Sequence, residues 1–166
     1  MIRVPHIAGG LHPQTERWAF EHHAQLVQHE ENDGHGYYDL LCAWWTELGL
    51  GDLVIVEQDK IPAPGVTDEM LACEFEWCSC PFPLNDGSGL EFGWGLGCVK
   101  FAQSLRERLP DAMIQAGVPG PFDSEPANTR WMVDVRLGCV LARNGVLPHA
   151  HAPGLHLHED VRRVSV

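Results

Sequence analysis

The spacing of apolar residues changes from stretch to stretch along the chain, and each spacing predicts an element. Ile2 to Ala8 alternates as a first strand does, with Pro5 tolerable near an edge or a strand end, before Gly9 and Gly10 break it. Pro13, followed by Thr15, Glu16, Trp18, Ala19 and Phe20, predicts a short helix opening on a first-turn proline. Gln25 to Gln28 reads as a second strand, running into the polar cluster His29-Glu30-Glu31-Asn32-Asp33. After the Gly34 to Gly36 turn, Tyr37, Leu40, Leu41, Trp44, Trp45 and Leu48 recur at helical spacing and offer one broad stripe to a core. Gly49 and Gly51 then lead into Asp52 to Asp59, whose unbroken run Leu53-Val54-Ile55-Val56 is the pattern of a buried strand. Strand, helix, strand, helix, strand predicts a parallel sheet covered by helices.

Further on, Val66 to Leu71 reads as a short helix, Cys73 to Phe82 as a strand followed by a loop, and Asn85 to Gly89 as a turn. Gly93, Gly95 and Gly97 interleave with Trp94 and Leu96 ahead of a helix expected from Val99 to Leu109, and such a glycine-rich passage suits close approach of backbone to a ligand. Pro119-Gly120-Pro121 and Pro126 bracket a loop. A helix capped by Asn128 or Thr129 follows, with Met132, Val135, Cys139 and Val140 inward, Asp134 early and Gly145 as its stop. Leu147 to His158 is the last expected element. The pattern describes one α/β domain over residues 1–158, a mostly parallel central sheet flanked by helices, and a tail at 159–166.

Composition narrows the function. With 166 residues and 45% hydrophobic content the chain supports one domain with a core. No stretch approaches the ~20 apolar residues that span a bilayer, and no signal-like start is present, so a cytoplasmic protein without a membrane partner is expected. A net charge of -12 with only 11 Lys and Arg argues against affinity built on neutralising phosphates. A nucleotide remains possible, because a bound cation can meet a diphosphate's charge. The 6 cysteines include Cys73, Cys78 and Cys80 but form no pair of C-x-x-C knuckles, so free, mostly buried thiols are expected rather than a zinc site.

Glu57 and Asp59, two apart, would share one face of a strand, where they can hold a cation jointly or divide a cation and a ribose hydroxyl. Ligands bind beyond the carboxyl ends of strands in an open α/β sheet, and these acids stand there. The plain alternative is a solvated strand exit. His149, His151, His156 and His158 crowd a late segment; His156 and His158 share a side as a cation site requires, whereas His149 and His151 read as a surface cluster. Oxygen donors joined by one imidazole suit Mn2+ or Mg2+ carrying a diphosphate.

The order of Val54-Ile55-Val56-Glu57-Gln58-Asp59, Gly93-Trp94-Gly95-Leu96-Gly97-Cys98, Asp134-Val135-Arg136-Leu137 through Ala142-Arg143-Asn144-Gly145, and His156-Leu157-His158 resembles the GT-A class of nucleotide-sugar glycosyltransferases, closest to small bacterial and phage members. The resemblance spans nearly the whole chain and implies a compact GT-A-like, Rossmann-like domain. It implies that Asp59 binds a divalent metal under the donor diphosphate while Glu57 holds the ribose or a metal-bound water. Asp134 would be the acceptor-side base of an inverting transfer, and His156 or His158 would complete the metal shell. Pro5 and His6, with Glu30 to Asp33, would flank the nucleobase, and Gly95 and Gly97 would lie along the donor. Glu57 stands where the family's motif begins with aspartate, Val133 replaces the first acid of its E-D pair, and no separate acceptor domain fits in the chain.

The expected partners are thus a nucleoside diphosphate sugar and a hydroxyl acceptor, be it glycan, protein, small molecule or modified nucleobase. Two rivals use the same residues differently. A metal-dependent nucleotide or phosphoester hydrolase would use water as nucleophile, and a non-enzymatic zinc-binding interaction module would use the cysteine segment.

Overall fold

A computed structural model of the chain describes residues 1–30, 35–47, 49, 51–83, 90–91, 96–118 and 133–157. Its elements are β1 (Ile2–His6), α1 (Pro13–Glu21), β2 (Gln25–Gln28), α2 (His35–Thr46), β3 (Leu53–Val56), β4 (Lys60–Ile61), α3 (Val66–Ala72), β5 (Trp77–Ser79), β6 (Phe82–Pro83), β7 (Leu90–Glu91), β8 (Cys98–Phe101), α4 (Gln103–Arg108), α5 (Ala112–Ala116), α6 (Val133–Arg143), β9 (His149–Ala150) and β10 (Leu155–His156).

The main sheet has the order β2-β1-β3-β8-β5-β9. β1 runs parallel to both β2 and β3, β8 runs antiparallel to β3 and β5, and β5 runs parallel to β9. All strands but β8 therefore point the same way, and the sheet is mostly parallel with helices on its faces, as the sequence pattern predicts. β3 shows why. Leu53 and Ile55 enter a core layer with Tyr37, Leu41, Trp44 and Trp45 of α2, Leu105, Met113 and the apolar face of α6. Val54 and Val56 enter the opposite layer with Trp18, Ala19, Val66 and Met70 of α1 and α3. A strand covered on both sides must be apolar at every position. Pro5, buried in an interior strand, pairs with Val27 of β2, whereas the β1–β3 pairing involves Ile2 and Arg3, so the N–H that proline lacks is not demanded by β3.

Four expectations are corrected. The strand expected over Asp52 to Asp59 ends at Val56, and Glu57 to Lys60 form a turn closed by Lys60 N donating to Glu57 O at 3.0 Å. Residues 98–101 are strand, not the start of a helix: Val99 and Phe101 fill one layer and Cys98 the other, so burial between β3 and β5 outweighs local pattern. The helix begins at Gln103, whose backbone N–H Asp52 Oδ1 accepts at 3.0 Å. In α6 the buried positions are Val133, Leu137, Gly138, Val140 and Leu141, while Val135 and Cys139 are exposed, because the stripe starts at Val133. Finally, the expected last element is two short strands, β9 and β10. The expectations placed on residues 119–132 and 158–166 fall outside the described residues. Among those described, no helix is long and apolar enough to cross a membrane.

Candidate active site

The turn after β3 stands at the carboxyl ends of β1, β2 and β3, where a parallel sheet leaves its crevice. Several elements fix it. Glu57 N donates to Gly97 O at 2.9 Å, which anchors the turn to the approach of β8. The Gln58 side chain accepts from Ile7 N at 3.1 Å and Gln58 O accepts from His12 N at 3.1 Å, so Gln58 holds the exit of β1 against the turn. A Cβ on Gly10 would lie 2.8 Å from the Gln58 amide, which reserves that position for glycine.

Glu57 lies in the field of two other acids. The Tyr37 hydroxyl of α2 donates to Glu57 Oε1 at 3.2 Å. Burial, above all, and the charges of Asp59 and Asp134 push the Glu57 carboxyl up to about 7, against the opposing pull of Lys60 and the Tyr37 hydrogen bond. The Tyr37 phenol is held well above its ordinary value by burial and by the same three acids, so it remains a proton donor. Asp134 reaches this group from the first turn of α6, where Val135 N donates to its Oδ1 at 2.7 Å. The chain thus brings Glu57, Asp59 and Asp134 into one electrostatic neighbourhood from two distant segments.

Lys60 sets the positive charge. Its ammonium lies 3.2 Å from Asp59 Oδ1 and 5.7 Å from the centre of the Phe82 ring, with the side chain almost wholly buried. Gly97 makes this possible, since a Cβ there would sit 3.1 Å from Lys60 Cε and 3.2 Å from the Phe82 ring. The space beside Gly97 is filled by these side chains.

The late segment closes on the same turn. β10 pairs antiparallel with β4, with His156 opposite Lys60, and Leu157 N donates to Asp59 O at 2.8 Å. The backbone of His156 is thereby next to the acid turn. Gly154 is pressed onto Phe82 and Ile61 so closely that a Cβ would lie 2.4 Å from the ring. At the other wall, His6 O accepts from His29 N at 2.9 Å, and the His29 ring lies 5.4 Å from that of Tyr37. His6, at the end of β1, thus stands next to this wall, while Pro5 is buried in the strand behind it. Asp33, Gly95 and His158 lie outside the described residues.

Tyr37, Gln58 and Lys60 are the residues that sequence reasoning missed. Tyr37 was absorbed into the helical core stripe, and only its hydroxyl, at the end of that stripe, signalled otherwise. His149 and His151, expected as a surface cluster, are packed instead: His149 stacks on Phe75 at 4.3 Å and His151 meets His149 edge-on at 5.0 Å. A separate hollow of about 220 Å³ between α4, α5 and α6, lined in part by Arg108, Asp111, Gln115 and Asn144, gathers no comparable set of acids.

Comparison with solved structures finds the crystal structure of A197 from STIV, with a TM-score of 0.55 and 9% identity over 96% of this chain and 86% of that one. At that identity the two share a fold. The mostly parallel sheet flanked by helices is consistent with a Rossmann-like α/β domain. The crystal structure of a glycosyltransferase involved in the glycosylation of the major capsid of PBCV-1 aligns with a TM-score of 0.49 and 9% identity over 93% of this chain and 92% of that one. No protein-family model and no curated protein matches the chain.

Proposed function

We propose that the crevice binds a nucleoside diphosphate sugar with Mn2+ or Mg2+, and that the chain transfers the sugar to a hydroxyl acceptor. The observation that carries this reading is the acid turn Glu57 to Asp59 at the carboxyl ends of the parallel strands, within electrostatic reach of Asp134 and with the His156 backbone laid beside it. A shared fold hosts many functions, so the argument rests on these groups.

The donor type, carboxylate oxygen, suits a hard divalent ion. Asp59 lies against the buried ammonium of Lys60, the charges of Asp59 and Asp134 act on Glu57, and carboxylate oxygens are the donors that Mg2+ or Mn2+ takes. Asp59, with His156 or His158, would hold the ion, and Glu57 would hold the ribose or an ion-bound water. When bound, the ion supplies Lewis-acid stabilisation of the charge that builds on a departing diphosphate. Lys60 adds a fixed cation beside Asp59, in surroundings where a preorganised charge counts for more than in water. Pro5 and His6 would border the nucleobase. Asp134, on a different element from the acid turn, accepts the proton of the attacking hydroxyl and makes inversion the expected outcome.

The test is a thermal-shift series of nucleoside diphosphates and their sugars with Mn2+, with Mg2+ and in chelator, followed by product analysis with model alcohols. A rise in melting temperature that needs both nucleotide and metal supports the site, because a ligand of the folded state stabilises it. Release of free sugar or phosphate at the same rate without any acceptor would instead identify a hydrolase.

A further inference from the structure

A second cluster lies away from the acid turn, where α3, β5 and β9 meet. Cys73 follows α3, Cys78 is in the middle of β5, and His151 directly follows β9, whose His149 pairs with Cys78. One ligand atom from each of Cys73, Cys78 and His151 lies within 4.8 Å of the others. We propose that these three residues form a metal site for a zinc-class ion, independent of the reading given for the acid crevice.

The His151 ring is the observation that sets this cluster apart from three neighbouring side chains. Its side chain is only 9% exposed, and its Nε2 is buried without a hydrogen-bond partner. A buried imidazole nitrogen left bare costs stability, and a cation is one partner that would satisfy it. The other nitrogen, Nδ1, faces Glu69 Oε2 of α3 at 3.8 Å. A carboxylate behind the ring favours a proton on Nδ1 and leaves the Nε2 lone pair for a metal, the arrangement found behind most metal-bound histidines. Burial and the neighbouring His149 and Lys100 lower the His151 affinity for a proton, while Glu69 raises it, so the neutral ring prevails.

Donor type selects the ion. Two sulfurs and an imidazole match Zn2+ and exclude the hard Mg2+ and Mn2+ expected at the acid turn. Bonds of about 2.3 Å to sulfur and about 2.0 Å to nitrogen bring donors on a tetrahedral ion to roughly 3.5–3.8 Å apart, a modest contraction of the present cluster. Binding replaces two thiol protons, which leave to solvent, and no electrons move. Without metal, burial and the hydrogen bond with Cys73 push the Cys78 thiol up to about 12, while Lys100 opposes them. Lys100 is itself buried, donates to Cys73 O at 2.6 Å and stands ready to offset thiolate charge. Among the described residues three donors are gathered, one short of a tetrahedral set.

The test titrates the reduced full-length chain with Co2+ and then displaces it with Zn2+, following the thiolate-to-cobalt charge-transfer absorption. One ion per chain is expected. Cys73→Ser and His151→Gln should each weaken binding by more than the roughly 10–100-fold that loss of a supporting partner costs. Cys139→Ser, at an exposed position of α6, should leave it unchanged. Cys78 is wholly buried, so Cys73, which is half-buried, and His151 carry the test if Cys78→Ser does not fold. Absence of the charge-transfer band in the reduced wild-type chain overturns the proposal. So does binding that survives both Cys73→Ser and His151→Gln, or a Cys73–Cys78 disulfide that gains no metal affinity when reduced.

Discussion

The Tyr37 hydroxyl donates to Glu57 Oε1 across 3.2 Å, and this bond ties the apolar helix α2 to the acid turn after β3. It uses the one polar atom of a core side chain to orient a carboxylate that burial has made hard to ionise. The crevice is thus built from the core outward.

Titration of Glu57 should be visible in stability. With divalent cations chelated, the folded chain keeps this proton up to about 7, whereas the ordinary value is 4.5. Between those values the folded state binds more protons than the unfolded state, so the contribution of Glu57 to stability falls as pH rises from 4.5 through 7 and is level beyond. At roughly 1.4 kcal/mol per unit, the loss is on the order of 3 kcal/mol. Urea denaturation from pH 4.5 to 8 should show this slope in wild type and a flatter one in Glu57→Gln. Parallel slopes in the two proteins would refute the environment described for Glu57.

Asp59→Ala should abolish the metal requirement of nucleoside diphosphate binding together with the binding itself. Calorimetric titration with and without Mn2+ decides it. Binding by the wild-type chain that is equally tight in chelator would remove Asp59 as a metal ligand and leave Lys60 as the cation that meets the phosphates.

Asp134→Asn keeps the shape of the side chain and removes its capacity to take a proton. Donor and metal affinity should persist while transfer falls by a factor on the order of 10²–10⁴, the usual contribution of a positioned base. An acid that only favours the helix N-terminus would cost about 0.3–1 kcal/mol of stability and leave turnover intact. Loss of donor affinity in the same proportion as turnover would move Asp134 to the donor side.

Arg106 offers a control far from any proposed chemistry. Its guanidinium donates to Trp44 O and Glu47 O at 2.9 Å each and to Gly51 O at 2.6 Å, closing the carboxyl end of α2. Arg106→Met strands these carbonyls and should cost about 3 kcal/mol by chemical denaturation. Nucleotide and metal affinity of the folded fraction should be unchanged, and a large change there would mean that α2 transmits its position to Tyr37.

The parallel half of the sheet was legible because β1 and β3 carry their burial in their own patterns, β2 is a short strand set off by polar residues, and the helices between them show one apolar stripe each. β8 was not legible, since Cys98-Val99-Lys100-Phe101 contains a lysine whose burial depends on Cys73 O and Asp52, partners remote in sequence. The acids of the crevice could be read from Glu57-Gln58-Asp59. Asp134 joined them only through the family resemblance, and Tyr37 not at all, because both depend on where α6 and α2 pack. His151 illustrates the same limit: adjacency of Cys78 and His149 across parallel strands leaves no trace in spacing along the chain.

The pairing of β10 with β4 has a consequence for how the protein is made. Lys60 and Ile61 leave the ribosome long before Leu155 and His156, their partners. With synthesis at roughly 5–20 residues per second, the acid turn waits several seconds for the strand that covers it. A nascent chain would therefore have five of the six strands of its main sheet before β9 and β10 arrive together, and any ligand capture at the proposed site would begin only after the segment through Leu157 has emerged.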